Sequence, residues 1–137
     1  MKTVDALIRK EADGSLSFGD FSLAEKTKLS DFNCGGDIYK VKTFNEITKL
    51  EKNEGFVYES VPGSSVFNFR SDGQEVCFSV TGEQDIQITL ELEPDHEYDV
   101  MVDGFKLGRM QTNLGGKLVF SVEASADRAT GVKIVKA

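Results

Sequence analysis

Apolar and polar residues alternate through most of this chain, and a period of two is the pattern of a β-strand with one buried face. The clearest segment is 86–92, in which Ile86, Ile88, Leu90 and Leu92 fall on one side. Pairs that accept the positive φ angles of two-residue hairpin turns separate such segments. The pattern therefore predicts an all-β chain. The turn pairs are Asp13-Gly14, Gly35-Gly36, Asp72-Gly73, Asp103-Gly104 and Gly115-Gly116.

The C-terminal part, residues 62–137, has the most regular spacing. Short strands that follow one another at intervals of about ten residues are typical of a sandwich or barrel. We predict a β-sandwich with an immunoglobulin-like arrangement for this part. Its predicted strands are 65–70, 75–81, 85–93, 97–102, 105–112, 117–122 and 131–136.

The N-terminal part, residues 1–61, is less regular, and we predict additional hairpins there from strands 5–12, 15–22, 27–32 and 37–43. Thr43 and Glu46 have the spacing of a helix capping box, which leaves one short helix open as an alternative. The boundary at Val61–Ser65 is too short for a flexible linker. The two parts are therefore expected to pack together, either as two subdomains or as one domain.

The charge balance limits the partners of the protein. Sixteen Lys and Arg stand against 23 Asp and Glu, which gives a net charge of −7. The longest basic run is the dipeptide Arg9-Lys10, and phosphate binding needs clustered cations. We therefore predict that neither nucleic acid nor an anionic membrane is a partner.

The sequence also bears on the compartment. No apolar run approaches the roughly 20 residues that cross a bilayer, and residues 1–20 lack the apolar core of a signal peptide. Cys34 and Cys77 are the two cysteines, and reduced thiols indicate the cytoplasm. A chain whose signal peptide had been removed would look the same.

Most catalytic and metal chemistry lacks its residues here. The one histidine, His96, lies in Pro94-Asp95-His96-Glu97, the composition of a loop tip. Nucleophilic triads need a base beside Ser or Cys, and zinc sites need three or four spaced ligands. No glycine-rich nucleotide motif is present. We assign no catalytic, cofactor or metal residue, and the sequence favours a protein that is not an enzyme.

Three residues remain as weak candidates. Glu59 has the apolar sequence neighbours that a catalytic carboxylic acid usually needs, although an outward strand position is the simpler explanation. Phe105, beside the Asp103-Gly104 turn, is the ring best placed for a sugar. Cys77 is near Asp72 and Glu75, whose charges oppose thiolate formation.

Acidic residues concentrate in the segment 91–99, and no Lys or Arg occurs between Arg70 and Lys106. If strands 85–93 and 97–102 formed a hairpin, its outer face would carry opposed carboxylates, which destabilise a sheet. Solvent screening, a contact from Lys106 or a bound calcium ion would each relieve the repulsion. The four acids are Glu91, Glu93, Glu97 and Asp99.

The segments 39–52, 56–63 and 112–118 resemble a group of short bacterial proteins that are often named endosialidase. This resemblance implies a bacterial protein, but it implies no activity and no catalytic residue. Separately, Tyr98–Gly104 and Gly116–Phe120 are similar in hairpin pattern to immunoglobulin-like and fibronectin-like accessory modules of bacterial polysaccharide enzymes.

Three hypotheses follow. The first is a non-catalytic all-β binding or assembly protein that pairs with a protein partner or with itself through edge strands. The second is a carbohydrate-active protein, either a glycan-binding module or part of a glycosidase, which requires a cleft with aromatic rings and carboxylates. The third is a structural module stabilised by calcium.

Overall fold

The computed structural model describes residues 1–137 as two stacked antiparallel sheets. The all-β prediction is confirmed. The strands are β1 (Ile8–Lys10), β2 (Leu16–Phe18), β3 (Thr27–Cys34), β4 (Asp37–Thr43), β5 (Thr48–Lys52), β6 (Gly55–Val61), β7 (Ser65–Ser71), β8 (Glu75–Thr81), β9 (Ile86–Glu91), β10 (Glu97–Val102), β11 (Phe105–Gln111), β12 (Lys117–Val122) and β13 (Thr130–Lys136).

Sheet A has the order β1-β2-β7-β8-β13-β10-β11, and sheet B has the order β12-β9-β6-β5-β4-β3. Each sheet therefore takes strands from both sides of Pro62. The inner faces of the sheets enclose one core of 20 buried hydrophobic residues. Within it, the Tyr58 ring from sheet B meets Phe18 and Phe78 from sheet A edge to face, an arrangement that aromatic quadrupoles favour.

The predicted hairpin of 85–93 with 97–102 is wrong. β9 pairs with β6 and β12 in sheet B, whereas β10 pairs with β11 and β13 in sheet A. Residues 92–96 cross from one sheet to the other, so the buried faces of the two strands oppose each other across the core. Alternation gives the same signal for both arrangements, because it identifies the buried face of a strand but not the partner beside it.

The short helix that the capping-box spacing left open does not form. The segment instead completes β4, bends, and begins β5, with Thr43 directly opposite Thr48. The Thr43 hydroxyl bonds to the Thr48 hydroxyl at 2.8 Å and accepts the Asp20 N–H, so it caps no helix. The structure holds no helix of the length and apolar character that crossing a membrane requires.

Two-residue turns with both φ angles positive connect several strands. Gly35-Gly36 and Asp103-Gly104 adopt φ values of 60° and 86°, and 50° and 83°. Asn53-Glu54 does the same at 49° and 71°, and it joins β5 to β6. This third turn was not predicted, since glutamate at its second position gives no turn signal.

Replacing Glu54 with glycine is expected to stabilise the protein by about 1 kcal/mol, because a non-glycine residue in the left-handed region costs about 1–2 kcal/mol. The Asn53 side chain, which accepts the Ile38 N–H at 3.0 Å, stays in place. Urea unfolding measures the change. Gly36→Ala, at φ 86°, is the opposite control and should destabilise; a stabilising Gly36→Ala would contradict this account.

A network of buried hydroxyl groups fixes the segment that follows β6. The Ser64 hydroxyl bonds to the Tyr58 hydroxyl at 2.8 Å and to the Ser60 hydroxyl at 2.6 Å. The Thr48 hydroxyl accepts the Ser64 N–H at 3.0 Å and donates to the Ser64 carbonyl oxygen at 2.7 Å. Complete burial raises the pKa of Tyr58, so its hydroxyl remains protonated.

Candidate functional site

A cleft of about 870 Å³ opens between the two sheets at one end of the sandwich. The β1–β2, β3–β4, β5–β6 and β7–β8 turns surround its mouth, and the end of β9 closes one side. Its volume lies within the roughly 300–1,000 Å³ of small-molecule sites. The cleft is therefore the candidate ligand site of the fold.

Two aromatic rings from opposite sheets contribute to the walls of the cleft. Tyr39 on β4 and Phe69 on β7 are both half-buried and pack against the core. Burial, with Asp37 and Cys34 nearby, raises the pKa of Tyr39, so its hydroxyl stays protonated at neutral pH. The cleft thus combines apolar ring surface with a neutral hydrogen-bonding group.

Charged groups at the rim are held by neighbours. The Arg70 guanidinium lies 3.7 Å from the Asp13 carboxylate, and the Lys52 ammonium lies 3.5 Å from Asp37. Asp72 accepts the backbone N–H groups of Gln74 and Glu75, which lowers its pKa. The rim therefore offers hydrogen-bond donors and acceptors to a ligand, while its Arg70–Asp13 and Lys52–Asp37 charges already neutralise each other.

Both thiols of the chain line this cleft, Cys34 from sheet B and Cys77 from sheet A. The Cys77 thiol donates to the Glu75 carboxylate at 3.0 Å. Burial and then Glu75 raise the pKa of Cys77, in the direction expected from the sequence. Cys77 therefore stays protonated and lacks the thiolate that nucleophilic chemistry needs.

The other sequence candidates do not converge on the cleft. Glu59 lies on the outer face of sheet B, between Lys49 and Thr89 in the strand register. The His96 ring is 3.5 Å from the Glu93 carboxylate and 2.7 Å from the Pro94 carbonyl oxygen. Phe105 is 79% exposed at the start of β11, at the other end of sheet A. The Glu93–His96 pair is therefore the one acid–base contact among these residues, and it is exposed and lies outside the cleft.

Basic residues of the same chain neutralise the acidic segment 91–99. Arg109 and Lys106 on β11 approach Asp99 at 2.9 and 3.2 Å. Lys117 binds Glu91 at 2.5 Å, and Lys136 binds Glu93. These ion pairs relieve the repulsion between the carboxylates, for which a calcium ion was one explanation from the sequence. No group of three or more His, Cys, Asp or Glu residues is placed to hold a metal.

The ion pairs give a testable acid dependence. Bonding to Arg109 lowers the pKa of Asp99 from 3.8 to about 2, and Lys136 lowers that of Glu93. The unfolded chain then binds more protons than the folded chain between about pH 5 and pH 2, so stability falls as the pH falls through this range. Urea unfolding at a series of pH values measures the slope. Asp99→Asn should flatten it, and an unchanged slope would contradict the assignment.

The edges of the sheets differ in how well they are protected from pairing. β1 has three residues, and β3 and β11 are interrupted by bulges, all of which hinder strand addition. β12 has six residues, an unbroken register with β9 and no proline. β12 is therefore the edge strand best suited to pair with another strand.

No family model, curated protein or solved structure matches this chain. The cleft and the β12 edge are the features of this fold that are suited to bind a ligand or a partner.

Proposed function

We propose that this protein is a non-catalytic assembly protein and that β12 pairs with β12 of a second copy. The observation that carries the proposal is that β12 alone among the four edge strands is regular and at least six residues long. Antiparallel pairing about a two-fold axis joins two six-stranded sheets into one continuous sheet. Such a contact is isologous and closes as a dimer.

Alternate residues of β12 direct their backbone N–H and C=O groups away from β9, as Lys117 shows. The Lys117 N–H and carbonyl both bond to Asn113, away from β9, while the neighbouring Gly116 carbonyl accepts the Leu92 N–H. Because backbone groups alternate in direction along a strand, Val119 and Ser121 also direct their N–H and C=O groups outward. These groups form the hydrogen bonds of the proposed contact.

Charge favours one register of this pairing. A two-fold axis at Phe120 places Lys117 opposite Glu123 of the second copy, and it places Val119 opposite Ser121. Glu123 takes part in no ion pair of the single chain. Oppositely charged cross-strand pairs stabilise a sheet. This register places each unpaired Glu123 beside a Lys117 that also binds Glu91 of its own chain, and it does so twice.

Exposed apolar side chains concentrate along the same side of the sandwich. β11 and β12 are the edges of the two sheets on that side, and the loop between them carries Leu114. Four of the eight exposed large hydrophobic residues of the chain fall within residues 105–119. They are Phe105 at 79%, Leu107 at 51%, Leu114 at 86% and Val119 at 47% exposure. A second copy shields part of this surface from water.

A proline at position 119 tests the pairing. Val119→Pro removes an N–H that the single chain leaves free, so the β9–β12 ladder persists while strand addition is blocked. We expect a dimer for the wild type and a monomer for Val119→Pro by light scattering after size exclusion. Val119→Thr, which keeps the N–H, should remain dimeric. A wild type that stays monomeric at high protein concentration would overturn the proposal.

A second function is favoured by the cleft, which has the rings and carboxylates that the carbohydrate hypothesis requires. The apolar surface of Tyr39 and the paired groups Arg70 and Asp13 suit a neutral, polyhydroxylated ligand. We therefore propose carbohydrate binding, without hydrolysis, as the alternative role. The similarity of Tyr98–Gly104 and Gly116–Phe120 in hairpin pattern to accessory modules of polysaccharide enzymes supports a non-catalytic role of either kind.

A glycan array followed by calorimetry tests this alternative. Tyr39→Ala and Arg70→Ala should each weaken binding of an identified glycan, because both side chains line the cleft. Arg128→Ala is the matched control, since Arg128 is also an exposed, ion-paired arginine but lies outside the cleft. A wild type that binds no glycan would remove carbohydrate binding.

We also propose a cytoplasmic location and a bacterial origin. The two cysteines are free thiols, which supports a reducing compartment. The bacterial origin is supported by the sequence resemblance described above.

A further inference from the structure

Four lysines lie together on the outer face of sheet B, near the edge opposite to β12. Lys28 is directly opposite Lys42, and Lys42 is directly opposite Lys49, in the register of β3, β4 and β5. Lys26 precedes β3 and lies close enough to Lys42 to influence its ionisation. Adjacent strands are about 4.8 Å apart, so the row places its positive charges at short intervals. We call Lys26, Lys28, Lys42 and Lys49 the lysine face.

Glu59, directly opposite Lys49, offsets part of the charge of the lysine face. None of its four residues takes part in an ion pair of the chain. Partial burial and then the charges of Lys26, Lys49 and Lys28 lower the pKa of Lys42, and Glu59 opposes this shift only in part. Like charges directly opposite each other destabilise a sheet. A chain with a net charge of −7 thus carries a concentrated positive face at a cost to its own stability.

The aromatic rings near this face are already covered by cations. Lys26 lies 5.9 Å above the centre of the Phe44 ring. Lys49 and Lys117 lie 5.7 and 4.7 Å from the centre of the Phe56 ring. Single-stranded nucleic acids bind largely by stacking bases on open rings, and sugars also need an exposed ring. The lysine face therefore recognises charge and offers little surface for stacking.

We propose that the lysine face docks an acidic polypeptide segment of a partner protein. The face contains lysine and no arginine, so it lacks the planar fork that binds phosphate at two points. Flexible ammonium groups match the varied positions of Asp and Glu side chains, as Lys117 and Lys136 do for Glu91 and Glu93 in this chain. The site goes beyond the proposed assembly, because β12 lies at the far edge of sheet B.

Fluorescence anisotropy with a labelled poly-glutamate peptide tests the docking site. We expect saturable binding to the wild type that weakens as salt is added. The triple variant Lys28→Gln/Lys42→Gln/Lys49→Gln should lose at least about tenfold in affinity. Lys10→Gln, another exposed lysine without an ion pair, is the matched control and should bind as the wild type does.

A stability measurement separates a docking site from an ordinary charged surface. Lys42→Gln should raise the melting temperature by about 2 °C in low salt, because it removes two like-charge cross-strand contacts. It should also weaken peptide binding. The combination of higher stability and weaker binding supports the proposal, whereas lower stability would show that the lysines serve the fold.

Competing polyanions decide the class of partner. Equal binding of the peptide by wild type and triple variant, or tighter binding of single-stranded DNA, hyaluronan or phosphatidylserine vesicles, would overturn the proposal. The Val119→Pro monomer should bind the peptide as the wild type does. Failure of the peptide test and failure of the assembly test are therefore distinguishable.

Discussion

Gly63→Ala should destabilise the fold by at least about 3 kcal/mol, because an added methyl group in a packed site forces the backbone to move. Gly63 is buried where the chain leaves sheet B, and its N–H donates to the Asn45 carbonyl at 3.0 Å. A Cβ atom there would lie far inside van der Waals contact of the Phe44 carbonyl oxygen. The obstacle is backbone, which cannot rotate aside as a side chain can.

The matched control is Gly82→Ala. Gly82 is also buried, but its added Cβ would lie 3.4 Å from the Ala124 Cβ, an ordinary contact. We expect that variant to stay within about 1 kcal/mol of the wild type. Chemical denaturation measures both. Similar losses from the two substitutions would show that the close approach of residues 44 and 63 is not as described.

Thr48→Val is expected to cost about 3 kcal/mol, although valine has nearly the shape of threonine. The substitution removes a hydroxyl that accepts the Ser64 N–H and donates to the Ser64 carbonyl oxygen. Thr48 is fully buried, so water cannot replace either bond. An unpaired buried polar group costs about 1–3 kcal/mol, and this change leaves more than one.

Thr89→Val is the control for that substitution. Thr89 lies half-exposed on the outer face of β9, where its hydroxyl reaches solvent. The same chemical change there should shift the unfolding free energy by less than about 0.5 kcal/mol. If both variants lost equal stability, the loss would come from removing threonine itself and the hydroxyl network would have no special role.

The sequence predicted where most strands lie, but it did not predict which strands pair with each other. Alternation located the C-terminal strands well, because buried Val76, Phe78 and Val80 mark one face of β8 whatever its neighbours are. It gave no information on pairing, so β9 and β10 were expected side by side. β5 was missed because the capping-box spacing of Thr43 and Glu46 favoured a short helix there. The hairpin of β5 with β6 was missed because its turn uses Asn53-Glu54 in place of a glycine-containing pair.

The lysine face and the cleft were harder to predict, because strand pairing and folding bring together residues that are distant in the sequence. Lys28, Lys42 and Lys49 are separated along the chain, and they become neighbours only when β3, β4 and β5 pair. The one run of consecutive basic residues, Arg9-Lys10, lies outside this face. The cleft is likewise assembled from turns distant in sequence, so Tyr39 and Phe69 gave no shared signal. By contrast, the approach of Lys106 to Asp99 follows from one hairpin and was one of the three alternatives that the sequence offered.

Disulfide trapping tests most directly whether β12 pairs with β12. Two variants are made in a Cys34→Ser/Cys77→Ser background, one with Val119→Cys and one with Ser121→Cys. With the two-fold axis at Phe120, residue 119 of one copy faces residue 121 of the other, at a Cα separation of about 5.5 Å that a disulfide can span. Under mild oxidation, a mixture of the two variants should form covalent dimers much faster than either variant alone. Equal rates in the mixture and in the separate samples, or no dimer in the mixture, would contradict the account.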